Sequence, residues 1–342
     1  MIRALDLSGE YDIHLKIFGG NPSKSAISDE AYSYFMKMAR KEDDANSIVI
    51  YHCIPVMQRR IKSHKRNIGM AVFESYGPPP KWIDILNQND AILTPSRFNY
   101  KIFSHMNIQK PIFHIPHCID INLYHKDVIP LRKYDKFTFL FIGTWKERKG
   151  YKNLVEAFCN EFSTKDNVQL LIKTDLPKRA EQYILDYQKS LRIKQGFAPI
   201  IIENKVFDEV SLPKFMKSVD CLVAPTAGEG FFIPGLQCMA LRIPVIVTNF
   251  SGCQDYANED TAILLEPGGF IWKHEMDGIP QFRNKKWAFV EVKQIQSKMR
   301  YVVEHLDEVK LKTNVAYDYV RKNFNYTVIS ELFTNMIQEI YG

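Results

Sequence analysis

Gly228-Glu229-Gly230-Phe231-Phe232-Ile233-Pro234-Gly235-Leu236-Gln237-Cys238-Met239-Ala240 lies between two short apolar runs, residues 220–225 and 243–248. The order reads as buried strand, glycine-rich loop with one acid, proline-initiated helix, buried strand. That is half of a nucleotide-binding α/β domain. Pro234 suits the first position of a helix, where a missing N–H does no harm. The free N–H groups of that first turn make an anion site. Gly228 and Gly230 allow close approach to a ligand. Glu229 and Gln237 are candidates for sugar hydroxyls. A common turn carrying a solvated acid gives the same local pattern.

The pattern of short strand and helix continues on both sides. Upstream, residues 11–18 alternate as a strand and residues 29–40 carry apolar residues at helical spacing. Residues 47–53, 68–73, 91–94 and 111–115 read as short strands, and 81–87 as a helix. Residues 137–143, 168–173, 200–202 and 262–265 add strands, with helices over 150–162, 177–192 and most of 289–342. This predicts α/β architecture: two doubly wound Rossmann-like lobes with a cleft between their strand carboxyl ends. The divisions are 1–126 for the first lobe, 127–136 for a linker, 137–318 for the nucleotide-binding lobe, and 319–342 for a helix returning to the first lobe. Residues 1–7 read as the end of a helix, so the first strand of the N-terminal lobe is expected upstream of Met1.

Composition sets limits. The 342 residues are 46% hydrophobic and 25% charged, which suits a globular protein of about two domains. A net charge of +6 fits an anionic ligand and is too mild to indicate nucleic acid. Six cysteines without C-x-x-C spacing read as reduced core thiols, with no metal site expected. No leader-like apolar segment opens the chain, and no apolar run reaches the roughly 18 residues of a membrane span. The expected setting is cytoplasmic, with peripheral contact at the inner membrane face as an option. The dense basic run at residues 58–66 is the candidate surface for that contact, against a solvated loop.

Three further constellations follow strand ends. In Gly143-Thr144-Trp145-Lys146-Glu147-Arg148-Lys149-Gly150, three cations precede a helix, and Arg148 can hold a phosphate bidentately. Glu74 closes a strand of the first lobe and faces the crevice. His117, in Pro116-His117-Cys118-Ile119-Asp120, stands just before the linker. A charged solvated loop, an acid ahead of the next helix, and a structural histidine are the plain alternatives.

Together these residues resemble the retaining glycosyltransferases of family 4, which have the GT-B fold. Residues 229–237 match the motif E-G-F-G-x-P-x-x-E, and residues 143–150 look like the diphosphate loop G-R-x-x-x-x-K-G. Residues 116–120 are similar to the hinge P-H-G-x-D. Residues 247–252 look like the family's small-residue turn beside the donor. Glu74, Pro79, Trp82, Asn87, Asp90, Pro95, Ser96 and Phe98, with 286–288 and 299–301, match a narrower subgroup.

The resemblance implies transfer of a sugar from a UDP- or GDP-linked donor to a glycan or lipid-linked acceptor. Configuration would be retained, with no metal or cofactor. Lys149 and Arg148 would neutralise the diphosphate and Glu229 would bind the sugar, with Glu74 completing the catalytic set. Gly143, Thr144, Lys173, Gly230, Phe231, Phe232, Ile233 and Gln237 would line the donor site. His117 and Ser96 would serve the hinge and acceptor side. Thr144, Phe232, Gln237 and Cys118 replace the family's arginine, glycine, glutamate and glycine. The rival is a degenerate or truncated GT-B protein that binds nucleotide, glycan or a partner without turnover. A glycan phosphorylase or epimerase is a second rival. A nicotinamide dehydrogenase ranks below both, since no G-x-G-x-x-G follows a strand.

Overall fold

A computed structural model describes residues 1–17, 26–42, 45–58, 66–191 and 196–342. The basic run at 58–66 falls almost entirely outside them. The chain opens with α1 (Ile2–Ser8), closed by Gly9 at positive φ, and α2 (Asp29–Ala39), capped by the Ser28 hydroxyl. A parallel sheet follows: β1 (Ile48–Tyr51), β2 (Arg66–Met70), β3 (Ala91–Thr94) and β4 (Ile112–His114), in sequential order. Helices α3 (Trp82–Leu86) and α4 (Arg97–Ser104) connect the later strands.

The second lobe is built on β5 (Phe137–Ile142), an aromatic and branched run buried on both faces. The chain then forms α5 (Tyr151–Glu161), β6 (Val168–Lys173), α6 (Pro177–Leu191), β7 (Ile200–Glu203), α7 (Ser211–Met216), β8 (Cys221–Ala224), α8 (Ile233–Ala240), β9 (Val245–Thr248) and β10 (Ile263–Leu265). The sheet order is β10-β9-β8-β5-β6-β7, parallel throughout. Strand order therefore reverses between the neighbours β5 and β8. In an open α/β sheet a ligand binds at such a point, outside the strand carboxyl ends. The two loops singled out in the sequence, 143–150 and 228–234, leave these two strands.

An antiparallel ribbon, β11 (Gly269–Lys273) with β12 (Lys285–Phe289), precedes α9 (Val292–Glu304), α10 (Leu306–Asn323) and α11 (Tyr326–Tyr341). The sequence reading missed this ribbon as structure. It acts as a strap. Met276, Phe282 and Trp287 enter the core of the first lobe beside Ala71, Phe73, Trp82, Leu86 and Phe103. Phe282 stands 5.7 Å from Phe73 and 4.9 Å from Trp287, ring centre to ring centre. Burying three such side chains contributes about 2–3 kcal/mol each, so the strap couples the lobes. Residues assigned by sequence to the second lobe thus complete the first.

Two other expectations are corrected. Residues 11–17 form no strand; Tyr11 and Ile13 pack on the α1–α11 core, so their alternation reflects packing against helices rather than a ladder. The 318/319 division falls inside α10, and the helix that packs on α1 is α11.

Candidate functional site

The β5 and β8 loops bring their charges together. Lys149 donates from Nζ to Glu229 Oε1 at 2.7 Å, and Arg148 Nη1 lies 3.0 Å from Glu229 Oε2. Arg148 Nη1 also donates to the Gly228 carbonyl at 2.6 Å. Its other neighbours are Glu74 Oε1 at 3.8 Å and Asp277 Oδ2 at 3.7 Å. Two cations thus stand among three carboxylates drawn from both lobes and the strap. All five side chains are buried or half-buried, so the pairs are screened less than surface pairs. Burial alone pushes the Glu229 carboxyl up, but Arg148 and Lys149 outweigh it and leave Glu229 below its ordinary value. For Glu74 burial wins over Arg148, and the neighbouring Glu229 adds to it, so its carboxyl is raised. Arg148 favours the charged form of both glutamates; they differ because burial prevails at Glu74, whereas Lys149 adds to Arg148 at Glu229.

The backbone explains how Glu229 is held. Its N–H donates to Ser251 Oγ at 2.8 Å, and its carbonyl accepts from Gly252 N at 2.9 Å. The turn after β9 therefore grips the Glu229 peptide from both sides. A Cβ on Gly252 would overlap the Gly230 carbonyl, so only glycine permits this approach. The aliphatic part of Lys149 runs across Gly143, whose N–H is tied to the Lys173 carbonyl at 3.1 Å. Burial lowers the Lys173 ammonium, with Glu203 and Asp175 opposing. Thr144 is exposed.

Phe232 departs from ordinary backbone geometry. At φ 67° and ψ 69° it is in the left-handed region and caps α8. The resemblance predicts glycine at that place, and this geometry explains why. A side chain there costs roughly 1–2 kcal/mol. The Phe232 carbonyl accepts from Tyr256 Oη at 2.7 Å, and its ring lies 5.5 Å from Lys149 Nζ. Lys149 is thus held between a carboxylate and an aromatic face. Helix α8 begins at Ile233, so Pro234 occupies its second position rather than its first.

The glycines of the opening motif serve a different contact from the one anticipated. A Cβ on Gly228 would overlap the Glu74 carbonyl, and one on Gly230 would overlap Val72 Cγ1. Both glycines let the second lobe close on the chain just after β2. Nearby, Asn99 donates to the Gly230 carbonyl at 3.2 Å and accepts from Phe73 N at 2.6 Å.

The remaining candidates are scattered around this centre. Ser96 is fully buried and caps α4, accepting from Asn99 N at 3.2 Å; it supports the site through Asn99 and faces no cleft. Gln237 donates to Tyr124 Oη at 2.8 Å. Phe231 is buried against His117, ring centres 5.3 Å apart, and against Tyr256. Burial, with His52 nearby, pushes His117 down to about 4. Ile233 is partly exposed at the start of α8. Sequence reasoning missed Asp277 and Asp255. Asp255 accepts from Arg97 N at 3.0 Å and meets His114 Nε2 at 2.8 Å, tying α4 and β4 to the second lobe. Asp277-Gly278 is legible as a turn, with both residues at positive φ, but not as a partner of Arg148. Among the described residues no group of three His, Cys, Asp or Glu is placed to hold a metal.

Comparison with known proteins agrees with the two-lobe fold. Residues 136–271 match the family model described as "Glycosyl transferases group 1". The capsular polysaccharide biosynthesis glycosyltransferase CapM of Staphylococcus aureus is 30% identical over 137 residues, 40% of this chain and 34% of that protein. The curated relatives at 30% identity are matched over 34%, 37% and 29% of their own length, so the chain spans about a third of each. Among solved structures, Anabaena HepE in complex with UDP and glucose superposes with a TM-score of 0.63 at 12% identity, covering 81% of this chain and 72% of that one. A glycosyltransferase from Rickettsia africae gives 0.64 at 15% identity, covering 99% and 87%. At such identities the likeness is one of fold: the chain has the GT-B fold of two Rossmann-like lobes.

Proposed function

We propose that this chain transfers a sugar from a nucleoside-diphosphate sugar to a glycan or lipid-linked acceptor, with retention of configuration and without a metal. The observation that carries the reading is the meeting of Lys149, Arg148 and Glu229 at the β5/β8 strand-order reversal. The relatives that share this lobe support it.

In this reading the donor diphosphate lies against Lys149 and the first turn of α8, whose amides at Phe232 and Ile233 are directed at it. Lys149 exchanges Glu229 for phosphate, and Glu229 then accepts hydrogen bonds from the sugar hydroxyls. Arg148, fixed by Gly228 and Asp277, holds Glu229 in place. The acceptor oxygen bonds to the anomeric carbon as the bond from that carbon to the phosphate oxygen breaks. The departing phosphate takes the acceptor proton on the same face, and the two cations stabilise the leaving nucleoside diphosphate. Glu74, raised by burial, would bind donor or acceptor. Uridine or guanosine as the base, a hexose as the sugar, a cytoplasmic setting, and the absence of a cofactor belong to the same proposal.

Titration calorimetry with UDP, GDP and their sugars tests it. Binding that Lys149→Ala weakens is expected; no binding of any of these nucleotides overturns it.

A second reading has its own support. Arg148 Nη1 is already engaged by the Gly228 carbonyl and Glu229, and Gly228 and Gly230 press on the first lobe, which suits a protein that binds nucleotide without turnover. Equal background transfer by wild type and Glu229→Ala would favour it.

A further inference from the structure

The strap ribbon has an outer surface that the nucleotide-sugar site does not use. Phe270, Ile271 and Trp272 are consecutive and exposed at 43%, 43% and 64%, so both faces of β11 present large apolar groups. Phe289 on β12 is exposed at 37%. Neither strand carries an acid, while Lys273, Lys285 and Lys286 lie on them and Arg283 just before. Lys286 Nζ stands 5.6 Å over the Trp272 ring. Lys273 is already paired with Glu147 at 2.9 Å, and burial lowers Lys285. The exposed acids flanking the ribbon in sequence are Glu266, Glu275 and Glu291, all outside its two strands.

The ribbon is anchored rather than loose. Trp287 is buried in the first-lobe core, and Ala288 N donates to the Ala227 carbonyl at 3.0 Å. Ser75 donates to the Lys286 carbonyl. Phe270 joins Tyr76 at 5.6 Å and Phe250 at 5.0 Å, and Phe250 reaches Gly228. An unbroken aromatic row therefore leads from the exposed ribbon to the residue before Glu229.

Phe270 and Trp272 share one face of β11, while Ile271 lies on the other, opposite the core residue Trp287. Exposed apolar surface with a basic rim marks an interaction site. A second copy of the chain, related by a two-fold axis, would set lysines against lysines. An anionic lipid surface matches both features, since tryptophan settles at the headgroup level and lysines meet phosphates. We propose that the β11–β12 ribbon is a membrane-interface anchor for anionic bilayers. Trp272 enters the headgroup region beside the exposed edge of Phe270, and Lys286 with Arg283 contacts lipid phosphates. The anchor stands apart from residues 58–66. Only its consequence rests on the proposed function: a bilayer at the ribbon presents a lipid-linked acceptor at the end of the row that leads to Glu229.

Trp272 makes the test specific, because Trp82, Trp145 and Trp287 are exposed at only 1%, 7% and 1%. The full chain is floated with phosphatidylcholine vesicles, with and without phosphatidylglycerol, in the absence of nucleotide sugar. Tryptophan quenching by brominated lipid is read on the same samples. The expected result is flotation with the phosphatidylglycerol vesicles, together with quenching. Trp272→Ala should abolish the quenching and weaken binding about tenfold. Lys286→Glu should weaken it about fivefold or more. No flotation, equal flotation with neutral vesicles, or flotation unchanged in both variants overturns the proposal. So does light scattering that shows a dimer lost in Trp272→Ala. Since no nucleotide sugar is present, failure of the transferase reading leaves this result untouched, and the reverse also holds.

Discussion

Lys149 Nζ donates to Glu229 Oε1 at 2.7 Å, joining the loop after β5 to the loop after β8 across the reversal of strand order. If the lysine holds the leaving diphosphate, Lys149→Ala lowers kcat/KM about 10²–10³-fold. Glu229 keeps Arg148, so the stability loss stays at about 1–3 kcal/mol. Steady-state nucleotide release and thermal unfolding check both; an activity loss below tenfold contradicts the assignment.

Gly228→Ala forces a Cβ into the Glu74 carbonyl, which is backbone and cannot swing away. The lobes must then separate locally. The variant is expected to lose about 1–3 kcal/mol in stability. Wild-type stability and kinetics would show that the contact of the lobes at this point is dispensable.

Phe232 offers a reversal of the usual order of Ala and Gly. Both Phe232→Ala and Phe232→Gly lose the buried ring, at about 3–5 kcal/mol. Glycine alone relieves the left-handed strain, so the Gly variant should be more stable than the Ala variant by about 1 kcal/mol. Chemical denaturation measures the difference, and an Ala variant equal to or above Gly would contradict the geometry.

His117 sets a pH dependence. Its folded-state value is about 4, below the ordinary value of about 6.5 for an unfolded histidine. Between these, the unfolded chain binds more protons than the folded one, so stability rises with pH across that window and flattens above it. His117→Gln should remove part of this slope, read by urea denaturation at several pH values. An unchanged slope would contradict a buried neutral imidazole.

The parts of the fold written in local sequence were legible. Runs such as residues 137–142 and 168–173 are apolar on both faces, which only a covered parallel sheet satisfies. The meeting of residues 143–150 with 228–234 was implied by the family resemblance alone, since a strand end does not by itself say which loops are neighbours. What sequence could not show was long-range closure. Trp287 and Phe282 read as part of the second lobe, yet they fill the core of the first. Gly228 and Gly230 read as room for a ligand, but the room is taken by Glu74 and Val72. Ser96, assigned through the resemblance to the hinge and acceptor side, is a buried helix cap. In each case the local pattern fixed the backbone need and left the partner unspecified. Residues 11–17 failed for the opposite reason, since alternation arises equally on a segment packed against helices.

The central claim is that Glu229, held by Lys149 and Arg148, binds the sugar being transferred. Nucleoside diphosphate release from UDP- and GDP-sugars, with candidate glycan and lipid-linked acceptors, tests it directly in wild type and Glu229→Ala. The account predicts acceptor-dependent release by the wild type and a fall of about 10²–10³-fold in the variant. No release by the wild type with any donor and acceptor, or equal release by both proteins, would contradict it.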